Sequence, residues 1–208
     1  GIGAYPGATT PNGTYYNASS PVTGEVRAIA IGDLNEDGRP DAVIGTKTGS
    51  STGTVEVWFG NGAGGFTHSG ATDTYTASQN VYGIALLDID ANGSLDIAAG
   101  CIKNNSLGYI NTWTNNPANK GKFIGLTTYS TSGSVYALAS GDIDMDGRSD
   151  LVIGTKTGTS TGKVEFWRNV NGVFAKTDET LADGPVTAVA VGALDYGTNN
   201  PDVAAGTN

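Results

Sequence analysis

GDLNEDGRPD, the stretch from Gly32 to Asp41, places four side-chain oxygen donors, Asp33, Asn35, Asp37 and Asp41, around Gly38 within nine residues. Carboxylates at this density repel one another unless a cation lies among them, and hard oxygen donors at alternate positions suit Ca²⁺. The stretch follows the opening of the D-x-[DN]-x-[DN]-G calcium loop, in which glycine turns the chain so that the donors point inward. The flanking runs AIAI and AVIG are typical of strands. The sequence therefore predicts a calcium loop between two strands, and an Asx-rich turn without metal is the alternative. The predicted ligands are the side chains of Asp33, Asn35, Asp37 and Asp41 and the carbonyl group of Arg39.

The pattern occurs twice more with the same spacing, which favours the metal loop over an ordinary turn. In DIDANGSLD the predicted ligands are Asp88, Asp90, Asn92, the carbonyl group of Ser94, and Asp96. In DIDMDGRSD they are Asp142, Asp144, Asp146, the carbonyl group of Arg148, and Asp150. A fourth frame, GALDYGTNNPD, has Ala193 in place of the first aspartate and one extra residue before Asp202, so we expect that site to be empty or weak.

The loops mark a repeat. Asp33, Asp88, Asp142 and Ala193 lie 55, 54 and 51 residues apart, which is a period typical of propeller or solenoid units. An apolar strand precedes each loop and a second follows it. A third strand carries one tryptophan per unit, and a weaker fourth begins near a phenylalanine. These aromatic residues are Trp58, Trp113, Trp167, Phe66, Phe123 and Phe174. Four short strands per unit predict a propeller blade.

The predicted fold is therefore all-β, a β-propeller of four-stranded blades with about four repeats of ~52 residues in one domain, 1–208. The last unit stops after two strands, whereas the N-terminal residues align with the second half of a blade. The two ends would complete one blade within the chain and close a ring, or the N-terminal strands would complete a blade of a neighbouring subunit and build a filament. A segment of a longer array is a third possibility. The predicted units are 1–25 (strands completing the last blade), 26–80, 81–134, 135–185 and the half repeat 186–208.

Composition favours an extracellular, turn-dense protein, with 32 glycines and 15% charged residues. No apolar run approaches the ~18 residues of a membrane span. The net charge is −9, and ten of the 20 acidic residues occupy predicted ligand positions, so three Ca²⁺ ions would bring the formal charge to −3. The 11 basic residues form no patch, which argues against nucleic acid as a partner. Cys101 lies in an apolar strand and is predicted to be a core residue.

Two segments carry a family resemblance. VRAIAIGDLNEDGRPDAVIG (Val26–Gly45) and VYALASGDIDMDGRSDLVIG (Val135–Gly154) resemble the FG-GAP or VCBS repeats of integrin α-chain propellers and of many secreted bacterial proteins. The resemblance covers essentially the whole chain. It implies a β-propeller with Ca²⁺ in the loop between the first two strands of each blade. Such propellers usually have about seven blades, so four units depart from the pattern.

Nothing in the sequence indicates catalysis. The single histidine, His68, lies in a predicted exposed turn, and no serine or cysteine has a nucleophile-elbow setting. The predicted function is a non-catalytic, calcium-stabilised structural or assembly module at the cell surface or in a filament, which binds copies of itself or other extracellular proteins. The alternative is an adhesin or lectin-like propeller that binds a glycan or a protein through its tryptophans, although their matching phase favours packing between blades.

Four N-x-[ST] sequons add a weak prediction of glycosylation. Asn12, Asn17 and Asn104 lie in predicted loops and would carry sugar if the source glycosylates its proteins. Asn92 is a predicted calcium ligand, so we do not expect it to be modified.

Overall fold

A computed structural model of the chain describes residues 22–104, 107–194 and 201–208. In these ranges the protein is all-β, as predicted, with one short 3-10 turn at Gly70–Asp73. The strands form antiparallel sheets in the order of the sequence repeats.

The first sheet contains β1 (Glu25–Gly32), β2 (Asp41–Lys47), β3 (Gly53–Gly60), β4 (Phe66–Thr67) and β5 (Thr74–Ala77). The second contains β6 (Asn80–Leu87), β7 (Asp96–Asn104), β8 (Leu107–Asn115) and β9 (Phe123–Thr131). The third contains β10 (Ser134–Gly141), β11 (Asp150–Lys156), β12 (Gly162–Val170) and β13 (Val173–Ala182). The fourth contains β14 (Val186–Gly192) and β15 (Asp202–Thr207).

The four units share one strand register. Each first strand pairs with its second strand and carries a bulge at the same place, after Val26, Val81, Val135 and Val186. In the first unit two short strands, β4 and β5, both pair with β3, because the 3-10 turn interrupts what is one continuous fourth strand in the second and third units. The prediction of four-stranded units is thus confirmed, with a divided outer strand in the first.

The sheets pack face to face. One apolar cluster joins the first sheet to the second, a second joins the second sheet to the third, and another joins the third sheet to the fourth. The first strands contact in the order β1, β6, β10 and β14. The core therefore lies between successive sheets rather than inside one of them.

A glycine in each second strand permits this packing. A Cβ atom at Gly45 would lie 2.5 Å from Val81 Cγ1, and one at Gly154 would lie 2.7 Å from Val186 Cγ1. Gly100 is the equivalent residue of the second sheet, where a Cβ atom would lie 2.5 Å from Val135 Cγ1. Each valine starts the next sheet and is fully buried, so only a residue without a side chain fits opposite it.

Two predictions concern the N-terminal segment. Most of the segment 1–25, predicted to complete the last blade, lies outside the described residues, as do the sequons Asn12 and Asn17. The end of that segment belongs to the first sheet instead, since Val22 packs against the cluster around Trp58 and Glu25 begins β1. The described residues show no closed barrel.

Candidate metal centres

The three predicted loops lie at equivalent places, between the first and second strands of the first three sheets. Numbered from the first aspartate, position 1 is Asp33, Asp88 or Asp142, and position 9 is Asp41, Asp96 or Asp150. Position 9 begins the second strand, where it pairs with the last residue of the first strand. The sheet register therefore closes each loop at both ends.

The position 1 carboxylate accepts hydrogen bonds from backbone N–H groups on the opposite side of its loop. In the first loop Asp33 accepts hydrogen bonds from the N–H groups of Asp37 (3.1 Å) and Gly38 (2.8 Å). Asp88 and Asp142 accept the equivalent pairs of N–H groups, at 2.8 to 3.1 Å. The loop backbone thus orients these carboxylates toward its centre.

Positions 3, 5 and 7 are linked by Asx turns. Side-chain oxygens of position 3 in the first and third loops accept a hydrogen bond from the position 5 N–H group, and in all three loops position 5 accepts one from the position 7 N–H group. The bonded pairs are Asn35 with Asp37, Asp144 with Asp146, Asp37 with Arg39, Asn92 with Ser94, and Asp146 with Arg148.

Position 4 adopts an unusual backbone conformation in every loop. Glu36, Ala91 and Met145 have φ angles of 60°, 59° and 61°, which non-glycine residues adopt at a cost. Glycine follows two residues later with φ of 80° to 86°, and no atom of the described residues lies within 4 Å of a Cβ atom built on Gly38, Gly93 or Gly147. Glycine is needed there for its φ angle rather than for space, because this turn brings position 7 back toward position 1.

The position 9 aspartates are buried tethers, a role that sequence reasoning did not predict. Asp96 accepts a hydrogen bond from the Ile89 N–H group (2.8 Å) and another from the Asn115 N–H group at the end of β8 (2.7 Å). Asp41 and Asp150 make the same two bonds, to Leu34 and Gly60 and to Ile143 and Asn169. Each therefore ties its loop to the third strand of its own sheet.

Burial affects the protonation of these tethers. It raises the pKa of all three position 9 carboxyl groups, and that of Asp96 to about 6. The charges of Asp90 and Asp88 contribute to this raised pKa of Asp96. Buried carboxylates beside other carboxylates favour a nearby cation, which would lower these pKa values again.

Two loops bring three carboxylates together. One oxygen each from Asp88, Asp90 and Asp96 lies within 4.8 Å of the others, and the same holds for Asp142, Asp144 and Asp146. The described residues form no such group in the first loop, where position 3 is Asn35 rather than an acid. Each donor set is made of hard oxygens and fits Ca²⁺.

Basic side chains neutralise part of the third loop. Arg168 forms ion pairs with Asp144 and Asp146, and Arg148 Nε lies 3.4 Å from Asp146 Oδ2. In the first loop Arg39 Nη1 lies 3.7 Å from Asp37 Oδ2. These surface pairs are weak, and a divalent cation would compete with them for the same oxygens.

The fourth frame keeps the hydrogen bond from the position 2 N–H group to the position 9 aspartate but lacks the first ligand. The Leu194 N–H group donates to Asp202 Oδ2 at 2.7 Å, as its equivalents do in the other units. Ala193 offers no side-chain oxygen, and residues 195–200 lie outside the described residues.

Comparison with known proteins assigns these units. The FG-GAP-like repeat family matches residues 33–99, and the FG-GAP repeat family matches residues 134–164. The chain therefore contains FG-GAP repeats. The matched ranges contain all three loops. No curated protein matches the sequence.

Solved structures resemble these FG-GAP repeats in fold alone. The crystal structure of the exotype rhamnogalacturonan lyase YesX has a TM-score of 0.52 and 13% sequence identity, over 88% of this chain and 38% of the lyase chain. The crystal structure of BBS1N in complex with ARL6DN, soaked with lead, has a TM-score of 0.42 and 14% identity, over 88% of this chain and 58% of that one. The FG-GAP chain therefore spans less than two thirds of either, and the second likeness is too weak to support any inference.

Each of the first three units also buries a polar side chain two residues before its tryptophan. Glu165 accepts hydrogen bonds from the Ser132 N–H group (2.9 Å) and from Trp167 Nε1 (3.0 Å). Glu56 makes the same bonds to Thr23 and Trp58, and Asn111 anchors Ser78 in the second unit. The side chains fix the turn that enters each sheet. A signal was present in the sequence, since an acid or amide in an otherwise apolar strand needs a partner.

The aromatic residues of the FG-GAP units belong to the core. Trp58, Trp113 and Trp167 are 2%, 4% and 6% exposed, which does not agree with a ligand surface. Trp113 and Trp167 pack in the clusters between units, whereas Trp58 packs in a cluster of the first sheet. The prediction of a solvated His68 was wrong. Its ring is half-buried and stacks on Trp58, with the centroids 4.6 Å apart, and its Nδ1 atom lies 2.9 Å from the Val57 carbonyl oxygen.

Cys101 and Asn104 were also singled out in the sequence. Cys101 is fully buried, as predicted for a core residue, and burial raises its pKa to about 12. Asn104 ends strand β7 and is exposed. Within the described residues, no helix has the length and apolar character needed to cross a membrane.

Proposed function

We propose that this chain is a non-catalytic, calcium-stabilised structural or assembly module of an extracellular or cell-surface protein. The observation that carries the proposal is the repetition of one loop geometry. In each of three units a ring of oxygen donors is tied by a buried aspartate to the third strand of its sheet. A cation held in such a loop would brace three strands at once.

Calcium fits these donors best among common cations. The proposed ligands are the side chains at positions 1, 3, 5 and 9 and the carbonyl group at position 7, which belongs to Arg39, Ser94 or Arg148. Ca²⁺ accepts several carboxylate and carbonyl oxygens in flexible geometry, whereas Mg²⁺ keeps most of its water. The bound ion would supply charge neutralisation and cross-linking of the loop, and we propose about three sites.

We also propose that the units are blades of a β-propeller and that the N-terminal residues complete the fourth blade. Among the described residues β15 pairs only with β14, so its outer edge has no strand partner there. The hairpin of β12 and β13 runs from Gly162 to Ala182, 21 residues, and the same number precedes Val22. The N-terminal residues are thus long enough for the two missing strands.

A cavity supports the position of this missing hairpin. In the first two loops, position 2 is buried beneath the next sheet, with Leu34 and Ile89 0% and 3% exposed. Ile143 holds position 2 of the third loop, is less buried, and lines a cavity of about 290 Å³ together with Phe166 and Trp167. Two added strands on β15 would cover it, either from the same chain or from a neighbouring subunit.

An extracellular location and self-association or binding to other extracellular proteins remain part of this proposal. FG-GAP repeats are typical of surface proteins, and calcium modules outside cells typically have dissociation constants of about 10⁻⁴ to 10⁻³ M. The adhesive alternative stays a prediction, but the buried tryptophans no longer favour it.

Thermal unfolding with and without calcium tests the proposal. At 10 mM Ca²⁺ and a dissociation constant of ~0.1 to 1 mM, each site adds about 1.4 to 2.7 kcal/mol to the free energy of unfolding. The melting temperature should rise with Ca²⁺, rise much less with Mg²⁺, and return to its starting value in EGTA. A melting temperature indifferent to calcium would contradict the proposal. Light scattering on the same samples measures self-association, which we expect only in calcium.

A further inference from the structure

Asn115 connects two of the loops. This residue lies at the end of β8 and is fully buried. Its Nδ2 atom donates to the Leu34 carbonyl oxygen (2.7 Å) in the first loop and to the Leu95 carbonyl oxygen (3.1 Å) in the second. Its Oδ1 atom accepts from the Gly121 N–H group at 2.9 Å. Both amide hydrogens are therefore used to join position 2 of one loop to position 8 of the next.

The same residue also holds the tether of the second loop. The backbone N–H group of Asn115 donates to Asp96 Oδ1. Position 8 follows Ser94, whose carbonyl group is a proposed calcium ligand, and position 9 is a proposed ligand itself. In the second loop Asn115 therefore contacts Leu95, which lies between two proposed ligands, and the proposed ligand Asp96, and it also holds Leu34 in the first loop.

A second contact joins the same two loops. Glu36, at position 4 of the first loop, accepts a hydrogen bond from Ser94 Oγ at 2.7 Å and pairs with Lys120 Nζ at 2.8 Å. Lys120 also contacts Ser94 Oγ. Position 4 of the other loops is Ala91 or Met145, which have no carboxylate, so this contact is specific to the first and second loops.

We propose that Asn115 is a positioning residue that couples cation binding in the first and second loops. This inference rests on the proposed calcium function. A cation in the first loop fixes the backbone around Leu34, a fixed Leu34 carbonyl group restrains the Asn115 side chain, and Asn115 in turn restrains Leu95 beside the ligands of the second loop. The first ion therefore already meets part of the free-energy cost of ordering the second loop, so the second ion binds more tightly, which is positive coupling.

The other loop pairs differ. Asn169 is the equivalent residue of the third sheet, and its Nδ2 atom donates to the Ile89 carbonyl oxygen of the second loop at 2.8 Å. It links the third loop only through its backbone N–H group, which donates to Asp150. Within the described part of the chain, no hydrogen bond or ion pair joins the first loop to the third. Coupling should therefore be strong between the first two loops and absent between the first and third.

Glycine-selective ¹⁵N spectra can measure each loop separately. The amide groups of Gly38, Gly93 and Gly147 bond to the position 1 carboxylates, so each reports calcium in its own loop. Removing the second site with Asp88→Ala should weaken calcium binding at Gly38 about fivefold or more. The matched control, Asp142→Ala, removes the same charge from the third loop and should change binding at Gly38 by less than about twofold. Equal effects of the two variants would overturn the proposal.

Variants of Asn115 test whether the coupling between the first and second loops passes through this residue. In Asn115→Leu, the Asp88→Ala change should alter binding at Gly38 much less than in the parent, because only the contact of Glu36 with Ser94 and Lys120 still joins the two loops. A merely structural loss would weaken all loops and leave their mutual effect in place. Asn115→Asp keeps the shape and the acceptor for Gly121 and serves if the leucine variant does not fold. Persistence of the full coupling in either folded variant would refute the role of Asn115. If no glycine amide responds to calcium, the proposed function itself fails. If all respond independently, only the coupling fails.

Discussion

Replacing Gly100 with alanine probes the packing of the second sheet on the third. Gly100 is buried in β7, and its φ angle is one that alanine adopts without strain, so the effect of the substitution is steric. The new methyl group would lie 2.5 Å from Val135 Cγ1 and still closer to Leu138 Cδ1. Leu138 is partly buried and can rotate, whereas Val135 is fully buried and β-branched, so it has few alternative rotamers.

The expected loss follows from these contacts. Overpacking a well-packed core costs about 1 to 3 kcal/mol, and the fixed Val135 side chain favours the upper half of that range. Alanine recovers about 0.5 to 1 kcal/mol relative to glycine in a strand. A net loss of about 1 to 2.5 kcal/mol should remain. For a chain of this size that loss lowers the melting temperature by about 2 to 10 °C.

Thermal and urea unfolding followed by circular dichroism, at one fixed calcium concentration, measures this loss. Gly192→Ala is the matched control, because Gly192 also lies in a strand and no described residue is within 4 Å of its Cβ position. It should leave the stability unchanged or slightly raised. In the double variant with Val135→Ala, the combined loss should be smaller than the sum of the single losses, since the smaller residue makes room. A Gly100→Ala protein as stable as the parent would refute the close stacking of these sheets.

Three further outcomes are expected. Glu165→Val should lower the free energy of unfolding, measured in urea, by about 2 to 4 kcal/mol. The reason is that the Ser132 N–H and Trp167 indole N–H groups lose their acceptor in the core. A loss below 1 kcal/mol would contradict this role of the Glu165 carboxylate. Cys101 should resist iodoacetamide at pH 8 in the folded protein and should take up one label in denaturant. Burial raises its pKa to about 12 and keeps the thiol protonated in the folded protein. Rapid labelling of the folded protein, measured by mass spectrometry, would contradict this. Equilibrium dialysis should find about three calcium ions per chain and about one fewer in Asp142→Ala, and an unchanged number would remove the third loop from the set of sites.

Much of the fold could be predicted because the repeats share one phase. The strands around Asp33, Asp88 and Asp142 follow from apolar runs that flank a turn, and three copies of the turn strengthen each prediction. The buried tryptophans follow from their equal spacing. The prediction for His68 was wrong because this residue has no counterpart in the other repeats, so no repeated pattern indicated that its ring would stack on Trp58.

The contacts between units could not be predicted in the same way. Asn115 reaches Leu34, 81 residues away, and Asn169 reaches Ile89, 80 residues away. Both asparagines follow an apolar strand and look like ordinary turn residues in the sequence. Their role depends on how far one sheet is displaced against the next, which no single strand pattern encodes.

The fourth unit separates two roles that coincide in the other three. Asp202 keeps the hydrogen bond to the backbone at position 2, although Ala193 removes the first ligand. The position 9 aspartate therefore closes the turn between two strands whether or not its loop has a full set of donors. Its burial in the first three loops, at most 1% exposed, also separates it from the more accessible acids at positions 1, 3 and 5. The sheet thus builds the loop through position 9, and the donors at the other positions decide whether that loop can hold a cation.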